Sequence, residues 1–343
     1  MGVELGELVR KDEITLEALS GRIIAVDAYN ALYQFLSIIR QPDGTPLMDS
    51  KGRITSHLSG IFYRTAKLIE AGVRPAYVFD GEPPKLKRSV LEGRKEVREK
   101  AEERWKDALR RGELAEAKVY AQASSKLSKE MVEDAKKLVE LMGLPVIQAP
   151  GEGEAQAAFL AEKNVVYACS SQDYESLLFG APRLVRNLTM SGRRKLPRKD
   201  VYVDVRTELV ELDRSLTAVG IDRRKLIWIG ILVGTDFNSG VKGIGPKKAL
   251  KIVAESSSFE DVFGKFRGEI DADPSEVEGI FLHPAVDENC KVDFGEPNAE
   301  GVVKFLCRER SFSEDRVRNT LKMMVKVLSE KTRQSSLGDW FGR

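Results

Sequence analysis

The sequence predicts an α/β fold, with a central, mainly parallel, twisted sheet flanked by helices. Three observations carry this prediction. Short runs rich in valine, isoleucine and aromatic residues recur between turn formers. Segments with apolar residues three and four apart alternate with them, as in strand–helix–strand units. Acidic residues gather where the runs end, and in open parallel sheets ligands bind beyond the carboxyl ends of the strands.

In chain order, RIIAVDAY (22–29) reads as the first buried strand and SHLSGIFYRTAKLIEAG (56–72) as a helix that stops at Gly72. PAYVFD (75–80) is a second strand. Residues 85–125 interrupt the alternation with dense charge and no strand signal, which predicts a mostly solvent-exposed helical insertion. SKEMVEDAKKLVELMG (128–143) is helical and ends at Gly143. PVIQA (145–149), EGEAQAAFLAEKN (152–164), VVYACSS (165–171) and RLVRNL (183–188) read as strand, helix, strand and strand. ILVGTDFN looks like another apolar run giving way to a loop, and the chain beyond Asp236 becomes helical. Residues 264–300 are poorly patterned, and SEDRVRNTLKMMVKVLSEKT (313–332) reads as a last helix.

Composition narrows the chemistry. Three widely spaced cysteines give neither a disulfide framework nor a zinc site, which fits a reducing compartment. Two histidines nearly exclude histidine-rich metal sites and Ser-His-Asp catalysis. No apolar run approaches the roughly 20 residues of a membrane span, and the N-terminal segment lacks the apolar core of a signal peptide. Gly6 stands where a myristoylation motif needs Ser or Thr. The net charge of +2 argues against a uniformly basic coat but allows local basic patches.

Seven acids stand out: Asp27, Asp80, Glu152, Glu154, Asp173, Glu175 and Asp236. Carboxylates crowded at strand ends repel one another unless cations lie between them, and Mg²⁺ prefers such oxygen ligands together with substrate phosphates. The spacing of Glu152/Glu154 and Asp173/Glu175 lets each pair aim at one side of an extended or turn segment. The set points to two cations serving a phosphodiester. Lys87 and Arg94 are seven apart, so they share a helix face and suit a scissile phosphate, although a solvated face of mixed ion pairs has the same spacing. In GVKGIGPKKA (240–249), Gly243 and Gly245 with Lys242, Lys247 and Lys248 suit a hairpin between helices that grips backbone phosphate without reading sequence. Gln334, Leu337, Trp340 and Phe341 place one aliphatic and two aromatic side chains on one face of a tight helical turn, a docking pattern or a final turn packed on the chain's own core.

With these pieces in order, the chain resembles the flap endonucleases of the structure-specific 5′-nuclease superfamily, in their archaeal form. The motifs are MGVELGELV, IAVDAYNALYQFLSIIRQPDGTPLMDSKGRITSHLSGIFYR, YVFDGEPPKLK, APGEGEAQAA, SSQDYESLLFG, ILVGTDFNSGVKGIGPKKAL and QSSLGDWF, and they span essentially the whole chain. The resemblance implies Asp80, Glu152 and Glu154 on one Mg²⁺, Asp173, Glu175 and Asp236 on a second, and Asp27 between them, partly through water. It implies that Lys87 and Arg94 are catalytic cations at the base of a helical arch, that Tyr33 stacks on a base, and that Gly2 lies by the active site. The helix–hairpin–helix at 228–256 would hold downstream duplex and a K⁺ ion, and the tail would bind a sliding clamp (PCNA).

The same resemblance divides the chain into an N-terminal nuclease region (1–98), the remainder of the arch (99–115), an internal nuclease region (116–258), a C-terminal wrap (259–333) and a clamp-binding tail (334–343). The implied protein is monomeric when free and acts in the archaeal cytoplasm at the nucleoid. It would cleave 5′ flaps and 5′ ends with Mg²⁺ during Okazaki fragment maturation and base excision repair.

Glu175 departs from the pattern, in which Asp usually follows SQDY. On that pattern Glu175→Asp is expected to equal or exceed the parent rate, and a large fall would mark a site adapted to glutamate. The departure is the one feature favouring an alternative, a catalytically weakened scaffold for DNA junctions and clamps. A small-molecule phosphohydrolase, the other rival, has no use for the hairpin, the insertion or the tail.

Overall fold

The computed structural model describes residues 3–190, 192–195 and 202–341; the side chains of 88, 89, 91, 193–195, 202–203 and 328–341 fall outside that description. β1 (Asp12–Ile14) precedes β2 (Ile23–Asp27), which passes directly into α1 (Ala28–Ile38). α2 (Ser56–Glu70) leads to β3 (Arg74–Phe79), and then α3 (Lys87–Arg110) and α4 (Leu114–Ala123) form the charged insertion. α5 (Lys129–Leu141), β4 (Val146–Gln148), α6 (Gly153–Glu162), β5 (Ala168–Ser170), α7 (Glu175–Leu178) and β6 (Arg183–Arg186) follow. A ribbon of β7 (Gly192–Lys195) and β8 (Tyr202–Val205) precedes β9 (Thr207–Glu211). The remainder is helical: α8 (Leu212–Val219), α9 (Arg223–Val233), α10 (Pro246–Glu255), α11 (Phe259–Phe263), α12 (Pro274–Leu282), α13 (Ala299–Val303) and α14 (Glu314–Phe341).

The main sheet has the order β1-β9-β6-β5-β2-β3-β4. The five strands read from sequence are its parallel core: Ala25 pairs with Ala76 and Cys169, Val78 with Ile147, and Cys169 with Leu184. β9 adds to that core antiparallel to β6, and β1 pairs antiparallel with β9 to form the sheet edge. Alternation along the strands sorts the two faces. Ile24, Val26, Tyr77 and Phe79 join Phe35, Phe62 and Leu138 on one side. Ala25, Ala76 and Val78 join Ala158, Leu177 and Ile227 on the other. Both faces are therefore covered, as a parallel sheet requires.

Two expectations are corrected. The first strand ends at Asp27 rather than residue 29, because Asp27 caps α1: its Oδ1 accepts from the Asn30 N–H at 3.0 Å. The apolar run before Asp236 is the helix α9, not a strand-like run. Hydrophobicity all round made that buried helix read like a strand.

The insertion is two helices. Ala101, Ala108, Ala117 and Ala121 are buried within it, while most of its charged side chains face outward. Residues 283–298 carry no regular structure but are tied to the body. The Gln156 side chain donates to Asp287 O at 3.0 Å and accepts from Asp287 N at 2.7 Å, and Asn298 N donates to Leu141 O at 2.8 Å. Among the described residues no helix is long and apolar enough to cross a membrane.

α5 is pinned to the start of the last helical segment by Arg310. Its Nη2 donates to Asp134 Oδ1 at 2.8 Å and its Nε to Oδ2 at 3.1 Å, and both side chains are largely buried. Asp134→Ala strands that guanidinium, and the expected loss is about 3 kcal/mol in denaturant unfolding.

Candidate active site

The acids converge on one edge of the sheet from five places in the chain. Asp27 closes β2, and its Oδ2 accepts from Ser171 Oγ at 3.3 Å. Asp80 follows β3, and its Oδ1 accepts from Gly153 N at 2.8 Å. Glu152 and Glu154 bracket the first residue of α6, where the helix dipole favours negative charge. Glu152 pairs with Lys87, and the Glu154 carboxylate feels the charges of Asp173 and Asp27. The residue between the two glutamates must be glycine, because a Cβ at Gly153 would lie 2.6 Å from Asp80 Oδ1.

Asp173 sits in the loop after β5, and its Oδ1 accepts from Glu175 N at 3.1 Å. Arg186 holds this loop. Its Nε and Nη2 donate to Gln172 O at 3.2 and 3.0 Å, and its guanidinium covers the Tyr174 ring at 4.4 Å. Glu175 opens α7, and its Oε1 accepts from Asp236 N at 2.7 Å. Asp236 lies just past the end of α9.

α3 supplies both cations, as the seven-residue spacing predicts. Lys87 Nζ donates to Glu152 and stands 3.3 Å from Asp236 Oδ2. Arg94 forks onto Asp236, with Nη1 3.2 Å from Oδ2. Burial works against the Lys87 ammonium, but Glu152, then Asp236 and Asp80, outweigh it and hold its pKa above the ordinary lysine range.

The carboxylates respond in opposite directions. Burial, then the Asp80 charge, holds Asp27 well above the usual carboxylate range. Burial, with Asp173 next, does the same to Glu154, and burial with Asp236 to Glu175. Asp236 is held below its usual range, because Lys87 and then Arg94 overcome the effect of its burial.

This arrangement fits hard divalent cations. The donors are carboxylate oxygens, and Glu154 Oε1 is buried with no hydrogen-bond donor among the described residues. Seven acids face the two cations of α3, so burying them leaves negative charge to be balanced. Among the described residues no three acidic side chains converge on one point at ligand spacing. Lys87 and Arg94 stand among them, drawing Glu152 and Asp236 toward α3.

Beside Asp173 lies a cavity of about 460 Å³ lined by Asn30, Tyr33, Arg94, Arg98, Gln172 and Arg186, among others. The Arg98 guanidinium covers the Tyr33 ring at 4.7 Å. Ser171, Arg98 and Arg186 escaped the sequence reading, since a lone serine or arginine there carries no spacing signal. The hairpin between α9 and α10 lies farther along the chain. Gly240 passes so close to Val233 that a Cβ would meet its carbonyl at 2.5 Å, and Gly243 takes φ +80°. Gly245 caps α10, and Lys242, Lys247 and Lys248 are exposed. Gly2 and the side chains of Gln334, Leu337, Trp340 and Phe341 lie outside the described residues.

The models of the XPG N-terminal domain and the XPG I-region match residues 1–101 and 143–236. Flap endonuclease 1 of Thermococcus onnurineus is 57% identical over 344 aligned residues, covering all of both chains. That of Pyrococcus horikoshii is 58% identical, covering 99% of this chain and 98% of its own. The solved structure of flap endonuclease-1 from Methanococcus jannaschii matches with a TM-score of 0.76 at 41% identity, covering 96% of this chain and all of that one. A catalytic core of Rad2 in complex with DNA substrate matches at 25% identity with a TM-score of 0.69, covering 94% of this chain and all of that one. With the acidic sheet edge and its α3 cations in place, and relatives matching end to end, the chain belongs to the flap endonuclease 1 family.

Proposed function

We propose that this structure-specific flap nuclease hydrolyses the phosphodiester at the base of 5′ flaps, and trims 5′ ends, with a pair of Mg²⁺ ions held by the acidic edge of the sheet. Asp80, Glu152 and Glu154 would serve one ion and Asp173, Glu175 and Asp236 the other, with Asp27 between. Bound there, divalent cations would lower the pKa of a nearby water and offset the charge developing on the scissile phosphate. The observation that carries the reading is the seating of Lys87 and Arg94, two cations from an exposed helix, against a buried carboxylate cluster.

In the free protein those two side chains neutralise Glu152 and Asp236. With the carboxylates engaged elsewhere, Lys87 and Arg94 are released to meet phosphate oxygens. Tyr33 would offer its ring to a base beside the cavity. Gly2 belongs to the same proposal, beside the active site. The exposed Lys242, Lys247 and Lys248, with the backbone at Gly243 and Gly245, would grip duplex phosphates at the hairpin, together with a K⁺ ion. Specificity would come from the shape and bendability of branched DNA rather than from base edges. Incubating a 5′-flap duplex with Mg²⁺ and then with a chelator tests the reading. Cleavage only with Mg²⁺, leaving a 5′-phosphate, is expected, and an uncut flap overturns it.

The tail is proposed to dock on a sliding clamp through Gln334, Leu337, Trp340 and Phe341, with the free protein a monomer in the archaeal cytoplasm at the nucleoid. Deleting 334–343 should abolish stimulation by the clamp in a flap assay and leave basal cleavage unchanged. Stimulation that survives the deletion removes the tail from the interface.

A further inference from the structure

Glu175 is 1% exposed, and one of its carboxylate oxygens is committed within the protein. Oε1 accepts from the backbone N–H of Asp236 at 2.7 Å, while Asp173 Oδ1 accepts from the backbone N–H of Glu175 at 3.1 Å. Asp173, Glu175 and Asp236 thus form a relay in which each acid is tied to the next through a main-chain amide. Its last member presents the carboxylate that takes Arg94 and Lys87.

The gap that Glu175 spans is fixed by packing on both sides. α7 is immobilised by Ser176, Leu177 and Leu178, each 0% exposed. α9 approaches it so closely that a Cβ at Gly230 would lie 2.8 Å from a methyl of Leu178. Asp236 is held in its own turn: Thr235 N donates to Asn238 O at 3.0 Å and the Asn238 side chain donates to Ile231 O at 2.7 Å. Neither partner can move toward a shorter side chain without breaking buried packing. An aspartate at 175 would stop about 1.5 Å short, one C–C bond, and carry the contact beyond hydrogen-bonding distance.

We propose that Glu175 is a positioning residue: its Oε1 holds the main-chain amide of Asp236, and the length of the glutamate side chain sets where the Asp236 carboxylate stands. This rests on the reading of Asp236 as a site residue given above. It reverses the expectation drawn from the SQDY pattern, that aspartate would serve as well or better.

The test separates length from charge. Glu175→Gln keeps the length and an acceptor oxygen and removes the charge; Glu175→Asp keeps the charge and removes the length. Hydrogen exchange of the Asp236 amide is followed in full-length protein without metal or DNA, with the amides of α9 as an internal reference. The Gln variant should exchange at about the parent rate and the Asp variant about tenfold faster or more, the worth of one buried hydrogen bond, with the change confined to 234–238. Cleavage of a 5′ flap by Glu175→Asp should show kcat down about tenfold or more with KM unchanged, since the hairpin lysines are untouched. An Asp variant that protects the Asp236 amide as well as the parent overturns the proposal, and so does a Gln variant that exposes it. If the parent cuts no flap, the functional reading fails while the exchange result still decides the role of Glu175.

Discussion

Glu154→Gln should cut flap cleavage by about a hundredfold or more and at the same time raise the stability of the metal-free protein. Glu154 Oε1 is buried with no donor among the described residues, and the charges of Asp173 and Asp27 act on its carboxylate. A neutral amide of the same shape removes a buried like charge, a change worth about 1–3 kcal/mol. The sign depends on pH. The folded-state pKa of Glu154 is raised above its unfolded value. Its contribution to parent stability is therefore fully present below the ordinary glutamate range of about 4.3 and is lost as pH rises through the raised value. The melting temperatures of parent and variant should thus lie together near pH 4 and separate as the pH rises toward 8, with the variant higher. Mg²⁺ should reverse the order by stabilising the parent more, because an ion that binds only the folded state adds to its stability. Calorimetry with and without Mg²⁺ checks both parts. A variant less stable than the metal-free parent at pH 8 would show that Glu154 is structural.

Lys87→Ala should lower kcat by about 10²–10³-fold, the usual cost of removing one preorganised group from a phosphate transition state. Its effect on the metal-free protein is opposite to that of Glu154→Gln. Lys87 balances Glu152 and Asp236, so its loss leaves buried carboxylates facing one another, and the melting temperature should fall. The same loss removes a cation competing for those carboxylates, so Mn²⁺ binding measured by calorimetry without DNA should tighten. Arg94→Ala should act in the same direction through Asp236. If Mn²⁺ affinity is unchanged in both variants, the ions do not use Glu152 or Asp236. Asp236 supplies a control of opposite sign to Glu154. Its pKa is held below the usual range by Lys87 and then Arg94, so its stabilising contribution is present at neutral pH and is lost as pH falls through that depressed value.

Much of this was legible in the residues. The five parallel strands and the helices α2, α5 and α6 announced themselves through period and turn chemistry, and Asp27 and Asp80 through their place at strand ends. α1 went unseen because AYNALYQFLSI follows the first strand with no break in hydrophobicity and no glycine or proline; only the Asp27 cap marks its start. β1, at the sheet edge, and β9, between β1 and β6, are short strands whose partly exposed residues weaken the apolar signal. Asp236 was found for a partly wrong reason, since the run before it is helical.

By itself the sequence determined the fold class and the site's inventory: a parallel sheet, carboxylates at its carboxyl edge, and two cations one helix face apart. Periodicity, turn preference and ligand chemistry are properties of residues and their near neighbours, so they can be read along the chain. Only the tertiary structure decided how the inventory is connected. It paired Glu152 with Lys87, made Gly153 obligatory against Asp80, and gave Asp236 to Lys87 and Arg94. It also turned Glu175 from a departure in a motif into a strut of the required length. Those distances follow from how α6, α7 and α9 pack against the sheet, and packing joins residues that the chain keeps far apart.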